Sequence, residues 1–91
     1  MYFVIRCLDK PDSHQIRQDN RPAHLDYLQS FHDRLFAAGP ILDDNEAMCG
    51  SILILDLADR SEAETFAAGD PYARAGLFSR VSIDIWKKLL P

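Results

Sequence analysis

Long apolar runs are missing from this chain of 91 residues, which removes a membrane-spanning helix, since one needs about 20 consecutive apolar residues. Cysteine is scarce. Cys7 and Cys49 lie far apart, in no metal-type spacing, and read as buried or incidental thiols with no disulfide between them. Only four glycines are present and none forms a phosphate-cradling loop, so nucleotide fingerprints are excluded. Clustered basic residues are lacking too: ten Lys and Arg are scattered among fourteen Asp and Glu, for a net charge of −4. That balance argues against tracking a nucleic-acid backbone. No basic stretch followed by an apolar segment and a small-residue cleavage site precedes Tyr2-Phe3-Val4-Ile5, and the expected setting is cytoplasmic. What remains is ordinary for a folded domain, with 47% hydrophobic and 26% charged residues. A single domain over residues 1–91 is expected.

Local pattern supplies the elements. Tyr2 to Leu8 is rich in β-branched and aromatic residues and reads as a first strand. The polar stretch Pro11 to Asn20 reads as a surface loop. Asp19 or Asn20 then caps a helix with Pro22 in its first turn, along which Leu25, Leu28, Phe31, Leu35 and Phe36 recur until Gly39-Pro40 stops it. Ile41-Leu42 and Ser51 to Leu57 form a hairpin about a polar turn. Ser61 with Glu64 makes a capping box for a second helix ending at Gly69, and Asp70-Pro71 restarts a short helical turn. The alternation from Arg80 to Lys87 gives a last strand.

The order βαββαβ is the ferredoxin-like arrangement, an α+β fold with a four-stranded antiparallel sheet and both helices on one face. The run Ile52-Leu53-Ile54-Leu55 would put apolar side chains on both faces of that sheet. The helix-free face therefore needs a partner, and a second copy in a two-fold homodimer is the simplest, giving a dimeric α+β barrel. Strand direction sends three connections to one end of the fold: the segment before His24, the turn from Asp43 to Gly50, and Gly69 to Leu77. His24 and Asp70 can thus meet at one cleft. A carboxylate accepting from one imidazole nitrogen leaves the other free to take or give a proton.

The Tyr2-Phe3-Val4-Ile5 opening, Arg21-Pro22-Ala23-His24-Leu25, Ala38-Gly39-Pro40, Gly50-Ser51, and Asp70-Pro71-Tyr72 with Ala75-Gly76-Leu77 resemble the YciI-like (YCII-related) family over essentially the whole chain. The resemblance implies a dimeric ferredoxin-like barrel and a catalytic histidine and aspartate pair, which fall here on His24 and Asp70. It also implies relatives that include a dehydrochlorinase of chlorinated hydroxyhydroquinones. The turn from Asp43 to Gly50 is shorter and poorer in glycine than in many relatives, which changes the pocket available to a substrate.

The expected substrate-binding residues are Arg6, a charge inside an apolar strand, Tyr72 beside Asp70, and Ser51, which lacks the turn of an activated nucleophile. Asp70 before Pro71 is also an ideal helix cap, a role compatible with pairing. His14 and His32 are surface or helix-edge residues on local evidence, and no metal or other cofactor is expected. Proton transfer on a small, aromatic or anionic molecule, as in isomerisation or elimination, is the leading reading; a non-catalytic dimeric metabolite-binding module is the alternative.

Overall fold

A computed structural model describes residues 1–91. The elements are β1 (Tyr2–Asp9), α1 (His14–Gln29), β2 (Leu35–Leu42), β3 (Met48–Asp56), α2 (Arg60–Gly69), the single turn α3 (Pro71–Arg74) and β4 (Phe78–Trp86). The strands form one antiparallel sheet in the order β2-β3-β1-β4. This is the ferredoxin-like arrangement.

Alternation along β1 and β3 decides where the core sits. Phe3, Ile5 and Cys7 face the helices together with Leu53 and Leu55, which lie opposite Ile5 and Phe3 in the register. Leu28 of α1 and Ala63 and Phe66 of α2 close over them. Phe66 meets Phe31 edge-on with centroids 4.8 Å apart, and the Tyr27 hydroxyl donates to the Phe66 carbonyl at 2.9 Å. Each large apolar side chain buried in this layer contributes about 1.5–3 kcal/mol. The other sheet face carries Tyr2, Val4, Arg6 and Leu8 from β1, with Ile52 and Ile54 opposite Arg6 and Val4.

Both ends of α1 differ from the sequence expectation. Helix α1 begins at His14, so most of the stretch expected as a loop is helical and Pro22 lies inside the helix. Asp19 and Asn20 are therefore interior positions, and His24 is in mid-helix. The buried residue of the first half is Arg17, which an apolar-periodicity argument cannot register. At the other end the chain leaves the helix after Gln29, and Leu35 and Phe36 belong to β2. Gly39-Pro40 therefore does not stop a helix. Pro40 lies within β2, where an edge strand tolerates its missing donor.

Helix α2 starts one position before Ser61. Asp59 is its cap, accepting from the Glu62 amide at 2.8 Å, in place of the expected Ser61. Asp70 caps α3 as expected, accepting from the Tyr72 amide at 2.9 Å with Pro71 in the first turn. Gly76, at φ +76°, turns the chain into β4 through a conformation that side chains resist.

Candidate active site

The site is built where α1 and α3 pass over the end of the sheet formed by β2 and β3. His24 follows Arg17 by seven positions on α1, about two helical turns, so both side chains come to one stripe with Arg21 between them. A pocket of about 180 Å³ opens there, lined by these three residues together with Ser51, Tyr72 and an apolar wall that includes Leu28 and Pro40. It is smaller than the roughly 300–1,000 Å³ of drug-sized sites, and suits a molecule of single-ring size.

The structure brings His24 and Asp70 together. Nδ1 of His24 lies 2.9 Å from Asp70 Oδ1, with the two residues 6% and 1% exposed. An ionised carboxylate only accepts, so a neutral imidazole paired with one donates from Nδ1–H and has its lone pair on Nε2. The same Oδ1 accepts from the Tyr72 amide, so helix capping and histidine pairing are carried by one atom. Oδ2 is buried without a protein partner. The His24 ring stacks on Tyr72, centroids 4.0 Å apart and planes within 13°.

Tyr72 is thus in the pocket wall. Burial pushes its hydroxyl above the ordinary phenol range, against the opposing pull of Arg17 and Arg21, so it stays a protonated donor. Ser51 lines the pocket as well.

Arg6, expected to hold substrate, is on the other side of the sheet. It is exposed, opposite Ile52 and Ser82 on the helix-free face, and does not reach the pocket. The arginine that does is Arg17. Its Nε and Nη2 donate to Asp9 Oδ2 and Oδ1 at 2.8 and 2.9 Å, and Nη2 also reaches the Gly50 carbonyl at 3.0 Å and Ser51 Oγ at 3.1 Å. Burial works against the guanidinium charge, but the hydrogen bond and charge of Asp9 outweigh it and raise its affinity for the proton. Its carbon also lies 4.6 Å from the Tyr72 centroid, a cation–π contact. The fork depends on Gly50, where a Cβ would press into the Cys7 carbonyl.

Sequence reasoning missed Arg17 and Arg21 because it placed one in a loop and the other at a helix start. The signal that could have found them is the Arg17, Arg21, His24 spacing, which reads as one face once the helix is extended back to His14. His14 is exposed beside an adjoining shallow pocket. His32 is on the surface against Asp33, well away from His24 in environment. No group of three or more His, Cys, Asp or Glu side chains is arranged to hold a metal ion.

Residues 1–87 match the family model of the YCII-related domain. Protein YciI of Escherichia coli O6:H1 is 39% identical over 97 aligned positions, covering 98% of this chain and 99% of the relative. An uncharacterized protein of Haemophilus influenzae is 34% identical with the same coverage. Among solved structures, 5-chloro-2-hydroxyhydroquinone dehydrochlorinase (TftG) from Burkholderia phenoliruptrix AC1100, in complex with 2,5-dihydroxybenzoquinone, superposes with a TM-score of 0.89 at 37% identity. That alignment covers 96% of this chain and 94% of the dehydrochlorinase. An antibiotic biosynthesis monooxygenase, 13% identical with a TM-score of 0.59, shares the fold.

Proposed function

The chain belongs to the YCII-related domain family, and from that premise we propose that it is a small-molecule enzyme of the dehydrochlorinase type, working by proton transfer at His24. The observation that carries this reading is the buried 2.9 Å contact between His24 and Asp70 at the wall of the pocket. Asp70 fixes the tautomer and the ring orientation and leaves Nε2 as the base. In an elimination, Nε2 takes a proton from the substrate, the electron pair left behind expels an anion such as chloride, and the imidazolium later returns its proton to water. In an isomerisation the same nitrogen returns it to another substrate atom. Neither route requires a cofactor. Tyr72, stacked on the imidazole, and Ser51 would position the substrate.

The working form in this reading is a homodimer joined through the helix-free sheet face. Tyr2, Phe36 and Trp86 form an aromatic cluster there, with centroids 5.4 to 6.2 Å apart. A cytoplasmic setting belongs to the same reading and suits the two unpaired thiols.

The test is turnover of 5-chloro-2-hydroxyhydroquinone by the purified protein and two variants. His24→Gln should lower kcat by roughly 10²- to 10⁴-fold. Asp70→Asn retains a capping side chain for α3, so its loss of activity would report on the carboxylate itself. Full turnover in His24→Gln would overturn the mechanism. A protein that binds small molecules but never turns them over would instead be the metabolite-binding module of the alternative reading.

A further inference from the structure

We propose that the helix-free face selects a second copy of this chain by reciprocal ion pairs, Arg6 of each copy meeting Asp84 of the other, so that charge sets both the choice of partner and the register of the two sheets. This pairing rests on the homodimer proposed above and adds what the face reads in its partner.

Arg6 and Asp84 stand on the same face of adjacent strands. In the register of β1 with β4, Arg6 lies opposite Ser82 and Val4 opposite Asp84, which makes Arg6 and Asp84 diagonal neighbours. Such neighbours are about 7–8 Å apart, within reach of a long side chain. Yet both are exposed, and no ion pair within the chain includes either of them.

Their surroundings are otherwise neutral. Val4 and Leu8 flank Arg6 along β1, with Ile52 and Ser82 beside it on β3 and β4. Asp84 lies between Ser82 and Trp86. The remaining charges of this side are at its ends: Asp56, opposite Tyr2, holds the N-terminal ammonium at 2.6 Å, Lys88 lies over the Phe36 ring, and Arg80 is at the other rim opposite Leu8. An apolar partner covering this face would take water from Arg6 and Asp84 and give nothing back, and an uncompensated buried charge is strongly destabilising.

A second copy brings the complement of both charges. Under two-fold symmetry a contact from Arg6 to Asp84 of the other copy implies the reverse contact, so two pairs form at once. Side-chain length agrees with charge. Stacked sheets lie about 10 Å apart, a gap suited to one long and one short side chain, whereas Arg6 against Arg6 or Asp84 against Asp84 would repel. Phe36, Ile52 and Trp86, exposed around the pair, supply apolar surface that closes it off from water.

The experiment uses the full chain with Arg6→Asp, Asp84→Arg or both changes, its assembly read by light scattering at micromolar protein and its pairings by native mass spectrometry. Arg6→Asp alone leaves only acids at the contact and Asp84→Arg alone only bases, so each should weaken self-association roughly 100-fold or more. Mixed in equal amounts, the two single variants should form a heterodimer, because every Asp then meets an Arg. The double variant should pair with itself and refuse 15N-labelled wild type, since a mixed dimer sets Arg against Arg and Asp against Asp. It keeps the charge balance of the chain and carries the test alone if a single reversal does not fold. Single variants that remain dimeric, a mixture of them that remains monomeric, or a double variant that exchanges freely with the wild type overturns the proposal. A dimer that survives both single reversals but is split by Ile52→Asp keeps the helix-free interface and loses only the pairing. A wild type that is monomeric under the same conditions overturns the homodimer and the pairing together.

Discussion

Cys7 shows how strongly the surroundings of a single side chain set its chemistry. Burial, followed by the charges of Asp70 and Asp9, pushes its thiol from 9.0 up to about 12, with Arg17 pulling the other way. It is a packing residue, and a thiol reagent at neutral pH should label Cys49 and spare Cys7 in the native protein. The sign of the pH dependence follows. From about pH 9 to 12 the unfolded chain releases this proton while the folded chain keeps it, so Cys7 makes stability fall as pH rises through that window. Denaturant titrations of the wild type and Cys7→Ala should show a shallower alkaline loss in the variant; equal slopes would mean that the thiol is not held protonated. Arg6 and Arg17 carry the matching lesson about charge. Parity along β1 separates Arg6 from Phe3, Ile5 and Cys7, but with apolar residues on both faces parity does not say which face the helices cover. Arg17 was hidden because its burial depends on Asp9 and on the Gly50 carbonyl and Ser51 side chain, which are 8, 33 and 34 positions away along the chain and are brought to it only by folding.

Helix α1 and strand β2 were misplaced for one shared reason. Proline is read as punctuation, at a helix start for Pro22 and at a helix stop for Pro40, whereas both sit inside elements that packing sustains. Pro22 leaves the Gln18 carbonyl without its usual donor on an exposed helix face, a penalty that tertiary contacts of α1 offset. Pro22→Ala should therefore stabilise the protein, by about 2 kcal/mol once the added freedom of the unfolded chain is subtracted. Thermal melting would register this as a raised Tm. A lowered Tm would show that the proline ring is itself a required contact. Where local chemistry is decisive, sequence and structure agree: Asp70-Pro71 caps α3, and the two-residue period of β1, β3 and β4 places the strands.

The molecule as a whole presents one face that its own helices do not cover. Phe36, Ile52 and Trp86 are each at least 36% exposed on it, an apolar surface that water disfavours and that a second copy would bury. Ile52→Asp would introduce a charge near the middle of that face without touching the core. In the proposed assembly it shifts light-scattering mass from dimer to monomer at micromolar protein. A variant that remains dimeric would place the interface elsewhere.

Periodicity, capping residues and element order were enough to define the ferredoxin-like fold and to predict that His24 and Asp70 share one end of it, because these depend on local conformation and chain direction. Which face of β1 is inside, how far α1 extends and which arginine enters the pocket were decided only in three dimensions. Burial of a polar side chain is a property of the partners that surround it, and those partners are brought near by packing rather than by their spacing along the chain.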